Sequence, residues 1–275
     1  MGEVRTNVIY LTTHCNLDCS YCYERENRNV AGFKHRIVTS SEIDEFVEEV
    51  SEREANNISC VVIFGGEPLL KPDLMVELME KFIARKSSGV AFDLITNGTL
   101  ITPEIAKMLK HYTDILPNYK SVIQIEVSYD VSGQGKRVYP NGKLSDEATL
   151  AGISQLQMHE VPFAISYVVH KGNYDKVLRD VLYCFLKLKA VKVGLKWAEE
   201  DLEQNGISTK KLKKDLAPYL TEIYRRYGLP ICEMVCGDCG ICDKAKAGNN
   251  YCIPEAGIIK QPSHTPDVAF NHFSL

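Results

Sequence analysis

The chain has 275 residues, of which 45% are hydrophobic and 25% charged, an ordinary composition for one large globular domain or one domain with a small appendage. The net charge of −4 gives no general reason to expect nucleic acid or membrane partners. The first residues are polar and lack a signal-peptide pattern, and no apolar stretch is long enough to span a bilayer. We therefore expect a cytoplasmic protein.

Predicted strands and helices alternate along residues 1–228. Each short apolar run that is predicted to be a strand is followed by a segment with apolar residues at helical spacing. This alternation predicts an α/β fold in which helices cover a parallel sheet, closed in part as a (β/α)6 TIM-like barrel. The predicted strands are Val8–Thr12, Cys60–Phe64, Phe92–Thr96, Ile123–Tyr129, Phe163–Val169 and Val191–Trp197.

Small polar residues and prolines mark where the helices begin. Such residues satisfy the first backbone N–H groups of a helix or need no partner for their own nitrogen. The last predicted helix, Ser208–Tyr227, carries many lysines and arginines. A solvated face is the expected role of this basic helix, with an acidic peptide or RNA as the alternative. The predicted starts of the other helices are Ser40-Ser41, Pro72, Thr102-Pro103, Ser145 and Asn173.

Ten cysteines are many for a chain that lacks a secretory signal, and clustered cysteines in a reducing compartment are more often metal ligands than disulfides. Three of them, Cys15, Cys19 and Cys22, directly follow the first predicted strand. Three thiolates hold three corners of a metal centre and leave a fourth corner open for chemistry. The spacing alone leaves a zinc knuckle as an alternative. Cys60 and Cys184 lie singly in apolar segments and are predicted core residues.

Two further motifs place this triplet in a family. Phe64–Pro68 has the sequence Phe-Gly-Gly-Glu-Pro and ends the second predicted strand, and Thr96–Gly98 ends the third. With the tyrosine that precedes the last cysteine, this order of motifs resembles the radical S-adenosylmethionine (SAM) superfamily from roughly Val4 to Trp197. The resemblance implies a [4Fe-4S] cluster with three irons on Cys15, Cys19 and Cys22, and with the amino and carboxylate groups of SAM on the fourth iron.

The resemblance also implies the residues that contact SAM. Tyr21 is expected near the adenine, and Glu67 is expected to accept a hydrogen bond from the ammonium, together with backbone carbonyls. On the fourth predicted strand, Ser128 and Asp130 match a family position that contacts the ribose or the methionine end. The expected cofactor contacts are Tyr21, Gly65, Gly66, Glu67, Pro68, Asn97, Ser128 and Asp130.

Two polar residues are candidate catalytic groups. Glu126 shares one strand face with Gln124, Ser128 and Asp130, and four polar groups on one face suit a wet barrel lumen. A substrate-facing role and a structural hydrogen bond are both open for Glu126. His170 follows the fifth predicted strand. It is a candidate acid or base, with a histidine at a loop edge as the alternative.

Five further cysteines follow a break in the pattern at 228–230. The spacing of ferredoxin-type [4Fe-4S] loops is found at Cys236, Cys239 and Cys242. The segment resembles SPASM and twitch domains in its cysteine content, but it has too few cysteines for the full SPASM pattern and an atypical spacing. We expect residues 229–275 to form a metal-dependent appendage with an auxiliary [4Fe-4S] cluster, and zinc is the alternative. The expected ligands are four of Cys232, Cys236, Cys239, Cys242 and Cys252.

The resemblance implies an enzyme that reductively cleaves SAM and abstracts a substrate hydrogen through a 5′-deoxyadenosyl radical. An external donor such as flavodoxin or ferredoxin is expected to supply the electron. The Tyr-Cys-Tyr-Glu sequence at 21–24 and the cysteine-rich appendage favour oxidative modification of a peptide or protein. The alternatives are a radical dehydrogenase of a small molecule such as a nucleoside or sugar, a glycyl-radical activase, and a non-catalytic metal-binding module.

Overall fold

A computed structural model describes residues 6–22, 24–25, 34–55, 59–85 and 89–232 of the chain. In these residues, parallel strands form one sheet in which neighbours in sequence are neighbours in space. This order, with a helix in each connection between the long strands, confirms the predicted α/β partial barrel. The strands are β1 (Thr6–Thr12), β2 (Ser59–Gly65), β3 (Val90–Thr96), β4 (Val122–Ser128), β5 (Ala164–Val169), β6 (Lys192–Trp197) and β7 (Ile231–Cys232).

The helices cover the outer face of the sheet. Outward-facing strand residues such as Leu11, Ile63 and Val127 are fully buried and belong to one core with the helices. Among the described residues, no helix has the length and apolarity needed to cross a bilayer. The helices are α1 (Ser40–Arg53), α2 (Pro72–Arg85), α3 (Pro103–Ile115), α4 (Asp146–Met158), α5 (Val177–Leu186), α6 (Glu199–Gln204) and α7 (Thr209–Tyr227).

Two of the predicted helix N-caps are wrong. The N-cap of α1 is Thr39 and not Ser40, because Thr39 and Glu42 form a reciprocal capping box. Asn173 does not cap α5, which begins at Val177. Its side chain instead accepts a hydrogen bond from the backbone of His170.

The inner face of the sheet differs in exposure from the outer face. Tyr10, Phe64, Ile95 and Ser128 point to this face and are part-exposed, although the residues next to them in sequence pack against helices. The alternation follows from the two-residue period of a strand. The inner face therefore lines an open lumen, and the polar residues predicted for β4 lie there.

β7 continues the sheet beyond the predicted domain boundary at residue 228. Ile231 pairs with Val193 and Cys232 pairs with Gly194, and the N–H of Val193 donates to the carbonyl of Pro230 at 3.0 Å. The start of the predicted appendage thus returns to the edge of the sheet. Its remaining ligand candidates, Cys236, Cys239, Cys242 and Cys252, lie outside the described residues, so the separate unit 229–275 stays a prediction.

Candidate active site

The cysteine triplet lies on the loop that leaves the carboxyl end of β1. Cys19 is buried, and Cys15 and Cys22 are half-buried. The N–H of Cys22 donates to the carbonyl of Cys19 at 3.1 Å, and the N–H of Leu17 donates to the Sγ of Cys15 at 3.4 Å. Burial raises the pKa of the Cys19 thiol to about 11; the Arg137 guanidinium lowers this pKa, and the charges of Cys15 and Cys22 raise it further. Cys15 and Cys22 therefore lie close enough to Cys19 for their charges to act on its thiol.

A thiolate set of this kind fits a polynuclear iron centre. Irons deprotonate their cysteine ligands and neutralise the charge that the neighbouring thiolates impose on one another. Among the described residues, no group of three Cys, His or carboxylate side chains has the convergence of a mononuclear metal site. This finding does not conflict with a [4Fe-4S] cluster, because each thiolate then binds a different iron.

The loop after β2 holds one side of the cysteine loop. The N–H of Gly66 donates to the carbonyl of Thr12, and the N–H of Glu67 donates to the carbonyl of His14, both at 2.8 Å. A Cβ on Gly65 would lie 2.2 Å from the Thr12 oxygen, and one on Gly66 would lie 2.0 Å from the His14 oxygen. Gly65 also has φ +136°, which favours glycine. The two glycines therefore allow this close approach of two backbones.

Glu67 connects the loops at the ends of β2 and β3 through its carboxylate, and its expected contact to the ammonium of SAM stays a prediction. Its carboxylate accepts hydrogen bonds from the Thr96 hydroxyl at 2.7 Å, the Asn97 N–H at 2.7 Å and the Leu69 N–H at 3.0 Å. Only 1% of the residue is exposed. Glu67 thus joins the ends of β2 and β3, and Pro68, also buried, begins a short 3-10 turn beside it.

Glu67 is expected to make stability depend on pH. Burial raises the pKa of its carboxyl from 4.5 to about 7, so the folded protein keeps a proton that the unfolded chain has already released between these values. The free energy of unfolding should therefore fall by about 3 kcal/mol across this window and then level off. Urea unfolding of the cluster-free protein at about pH 5 and about pH 7.5 measures the change. The prediction fails if Glu67→Gln loses as much free energy of unfolding between the two pH values as wild type does.

The end of β3 contacts the cysteine loop from a second side. Asn97 donates through Nδ2 to Asn16 Oδ1 at 2.8 Å and also lies 4.0 Å from Cys15 Sγ. Asn16 donates to the hydroxyl of Thr99 at 2.8 Å. The predicted site residue Asn97 therefore lies beside a ligand sulfur. Asn16 and Thr99 were not predicted, because single polar residues next to a motif carry no pattern of their own.

The segment after β4 holds a third side of the loop. The N–H of Asp18 donates to the carbonyl of Val138 at 2.7 Å, and the N–H of Ser20 donates to the carbonyl of Lys136 at 3.1 Å. Between these two carbonyls lies Arg137, whose guanidinium carbon is 5.3 Å from the centroid of the Tyr21 ring. Arg137 was not predicted as a site residue, because an arginine in a loop is usually solvated.

Arg137 is the partner of Asp130. Its Nε and Nη2 donate to the two carboxylate oxygens at 2.9 and 3.1 Å, and both residues are buried. Asp130 also accepts hydrogen bonds from the Val168 N–H at 2.9 Å and from the Tyr21 hydroxyl. Asp130 is fully buried and both of its oxygens have partners, so the geometry favours a supporting role, and its contact to SAM stays a prediction.

His170 also has internal partners on both ring nitrogens. The Gly172 N–H donates to Nδ1 at 3.0 Å, so the proton resides on Nε2, which is 3.1 Å from the carbonyl of Gly133. Burial lowers the pKa of His170 and favours this neutral ring. The ring lies against Tyr21, with 5.4 Å between centroids. The geometry favours a positioning role for His170 over the predicted acid or base. His170 directly follows β5, as the loop-edge alternative predicts, and it is fully buried there.

Glu126 and Ser128 lie in the lumen, as the polar face of β4 predicts. Ser128 pairs with Ser166 at the upper rim and is part-exposed, and Glu126 is one row lower and 2% exposed. A Cβ on Gly194 of the adjoining β6 would lie 4.0 Å from Glu126 Oε1. The structure thus brings the predicted residues of β1 to β5 to one edge of the sheet, where α/β barrels have their active sites.

Comparison with known proteins agrees with this geometry. The sequence profile of the family described as the Radical SAM superfamily matches residues 9–182, more than half of the chain. The chain belongs to this superfamily, whose members are enzymes that bind a [4Fe-4S] cluster and SAM.

Two curated relatives show how far the likeness extends. The chain is 23% identical over 203 residues to the radical SAM cyclopropyl synthase TigE of Paramaledivibacter caminithermalis, covering 70% of this chain and 41% of that protein. It is 31% identical over 174 residues to the AdoMet-dependent heme synthase of Methanosarcina barkeri, covering 62% of this chain and 44% of that protein. The chain therefore spans less than half the length of either relative.

A solved structure has the same fold. Native anSMEcpe with bound AdoMet and Cp18Cys peptide superposes with a TM-score of 0.65 at 20% identity, covering 83% of this chain and 63% of that chain. At this identity the likeness concerns the fold, which is the partial barrel predicted from the sequence.

Proposed function

We propose that this chain reductively cleaves SAM and abstracts a hydrogen atom from its substrate. Cys15, Cys19 and Cys22 would hold the [4Fe-4S] cluster, with SAM at the iron that lacks a cysteine. The bound cluster would pass one electron from an external donor to SAM, which would then split into methionine and a 5′-deoxyadenosyl radical. The observation that carries the proposal is the cysteine loop at the carboxyl edge of the sheet, held by backbone contacts to the segments after β2 and β4 and by side chains after β3.

The residues of the chain orient the reactants and exclude water. The contacts of the cysteine loop hold the three cysteines in place before SAM binds. The loop therefore needs little reorganisation in the reaction. The Tyr21 ring is fixed by its hydroxyl on Asp130, by the Arg137 guanidinium and by the His170 ring. We assign Tyr21 to the adenine, the loop 65–68 and Asn97 to the methionine end, and Ser128 to the ribose. Glu67, Asp130 and His170 support these contacts.

The substrate in this proposal is a peptide or protein that becomes oxidised. The peptide in the anSMEcpe structure supports this class, as does the Tyr-Cys-Tyr-Glu sequence at 21–24. The heme synthase relative favours the small-molecule alternative. An auxiliary cluster on the C-terminal cysteines would accept the electron that the substrate radical releases. β7 brings the backbone of Cys232 to the edge of the sheet, next to Gly194.

SAM cleavage tests the proposal. Anaerobically reconstituted protein with dithionite and SAM is expected to form 5′-deoxyadenosine, detected by liquid chromatography. Cys15→Ala should lower the yield by about 100-fold or more, because one cluster ligand is lost. Cys184→Ala is the matched control, since Cys184 is fully buried in α5, outside the candidate site. The proposal fails if wild type forms no more 5′-deoxyadenosine than Cys15→Ala.

A further inference from the structure

One lysine inside the sheet is not explained by the cofactor site. Lys192 begins β6, and 3% of the residue is exposed. Among the residues that the structure describes, its Nζ has no hydrogen-bond partner. A buried ammonium without a partner is costly for folding, because it loses its hydration and gains no compensating bond. Such a group indicates that its partner is a bound ligand and not one of the described side chains.

Lys192 points into the lumen from the same row as Glu126. The register pairs Glu126 with Ala164 and Ala164 with Lys192. The lysine charge also acts on the thiol of Cys60, on the inner face of β2: burial raises the pKa of that thiol to about 12, Asp93 raises it further, and Lys192 lowers it. Lys192 and Cys60 therefore face the same interior.

The lumen at this row is accessible, and the register pairs Ile95 with Glu126. Tyr10, Phe64 and Ile95 line it and are part-exposed, and the rings of Tyr10 and Phe64 pack edge to face with centroids 5.4 Å apart. Next to the row, β6 carries Gly194, and so no side chain of this residue fills the space beside Glu126. Part-exposed aromatic side chains therefore line the same row of the lumen as Lys192.

Two carboxylates in the same interior restrict the kind of ligand that fits. Asp93 accepts a hydrogen bond from Gln124 Nε2 at 3.1 Å, and Glu126 is buried in the same row as Lys192. Both would repel a bare anion. A ligand that combines one carboxylate with hydrogen-bond donors satisfies Lys192 and also the acidic neighbours. An amino acid residue has this combination, because amide N–H groups lie close to its carboxylate.

We propose that the lumen binds a carboxylate of the substrate and that Lys192 is its partner. The inference rests on the proposed function and names the substrate class, a peptide or amino acid whose carboxylate enters the barrel. This carboxylate belongs to an acidic side chain or to a C-terminus. Lys192 acts as a specificity residue, and its ammonium forms a charge-assisted hydrogen bond with the substrate.

Three compounds of nearly equal size distinguish a side-chain carboxylate from a C-terminal one. The α-amide of N-acetyl-L-glutamate has a side-chain carboxylate, N-acetyl-L-glutamine has a terminal carboxylate, and N-acetyl-L-glutamine amide is neutral. Each is titrated into the reconstituted full chain with SAM bound. One acid is expected to bind about tenfold more tightly than the neutral compound. Lys192→Met should abolish this preference and Lys192→Arg should keep it. Equal binding of all three, or a preference that survives Lys192→Met, overturns the inference.

Thermal unfolding without ligand provides a second test. Lys192→Met should not lower the midpoint of wild type, because the buried ammonium makes no hydrogen bond to a described residue. A lower midpoint would show that the lysine has a structural partner and would overturn the inference. SAM cleavage by wild type is measured in the same preparation. Cleavage without a carboxylate preference refutes this inference alone, and an absence of cleavage refutes the proposed function.

Discussion

Arg137→Met is expected to lower the free energy of unfolding by about 3–5 kcal/mol. The guanidinium makes two hydrogen bonds, of 2.9 and 3.1 Å, to Asp130, and 7% of the arginine and none of the aspartate is exposed. The substitution leaves a buried carboxylate without its cation. Tyr21 would lose the cation above its ring, so the cysteine loop should loosen and retain less iron.

Urea unfolding of the cluster-free protein measures this loss. Arg179→Met is the matched control, because Arg179 also pairs with a buried aspartate, Asp180, but its own side chain is 68% exposed. We expect the control to cost about 1 kcal/mol or less. Adding Asp130→Asn to Arg137→Met should recover part of the loss, because the uncompensated charge is then removed. Equal losses for the two arginine variants would contradict the assigned role of Arg137.

Gly66→Ala is expected to abolish stable iron binding and to destabilise the fold by about 3 kcal/mol or more. The new Cβ would lie 2.0 Å from the carbonyl oxygen and 2.3 Å from the carbonyl carbon of His14. These are backbone atoms directly before Cys15, so the clash has to move the cysteine loop. The hydrogen bonds from Gly66 to Thr12 and from Glu67 to His14 would break with it.

Iron per chain after anaerobic reconstitution measures the effect of Gly66→Ala. Gly135→Ala is the matched control, because a Cβ at Gly135 would have no atom within 4 Å. The control should keep the iron content of wild type. If Gly66→Ala retains as much iron as Gly135→Ala, the loop after β2 does not hold the cysteine loop in the way that the geometry indicates.

The fold was predictable because its signals are local. Six of the strands lie within two residues of their predicted limits, since a buried strand of an α/β sheet appears in sequence as a short apolar run between loops. Helix starts were harder, because adjacent residues compete. Thr39 and Ser40 are both good caps, and only the position of Glu42, three residues after Thr39, selects the first of them.

The supporting residues of the site were not predictable, because their partners are distant in sequence. The motifs mark Glu67 and Asp130 as site residues, yet the structure pairs Glu67 with Thr96 and Asp130 with Arg137. These pairs form only when β2, β3 and the segment after β4 meet at one edge. A sequence motif indicates which residues a site needs. It does not show which of them contact the ligand and which position the others.

Electron paramagnetic resonance of the reduced protein tests the central claim most directly. The difference between wild type and a Cys15→Ala, Cys19→Ala, Cys22→Ala variant isolates the cluster of the N-terminal loop from any other iron. We predict a [4Fe-4S]⁺ signal in this difference, and we predict that it changes when SAM is added, because SAM binds the iron that lacks a cysteine. The claim is contradicted if this signal is absent or if SAM leaves it unchanged. In either case these three cysteines would not hold a cluster whose fourth iron is free to bind SAM.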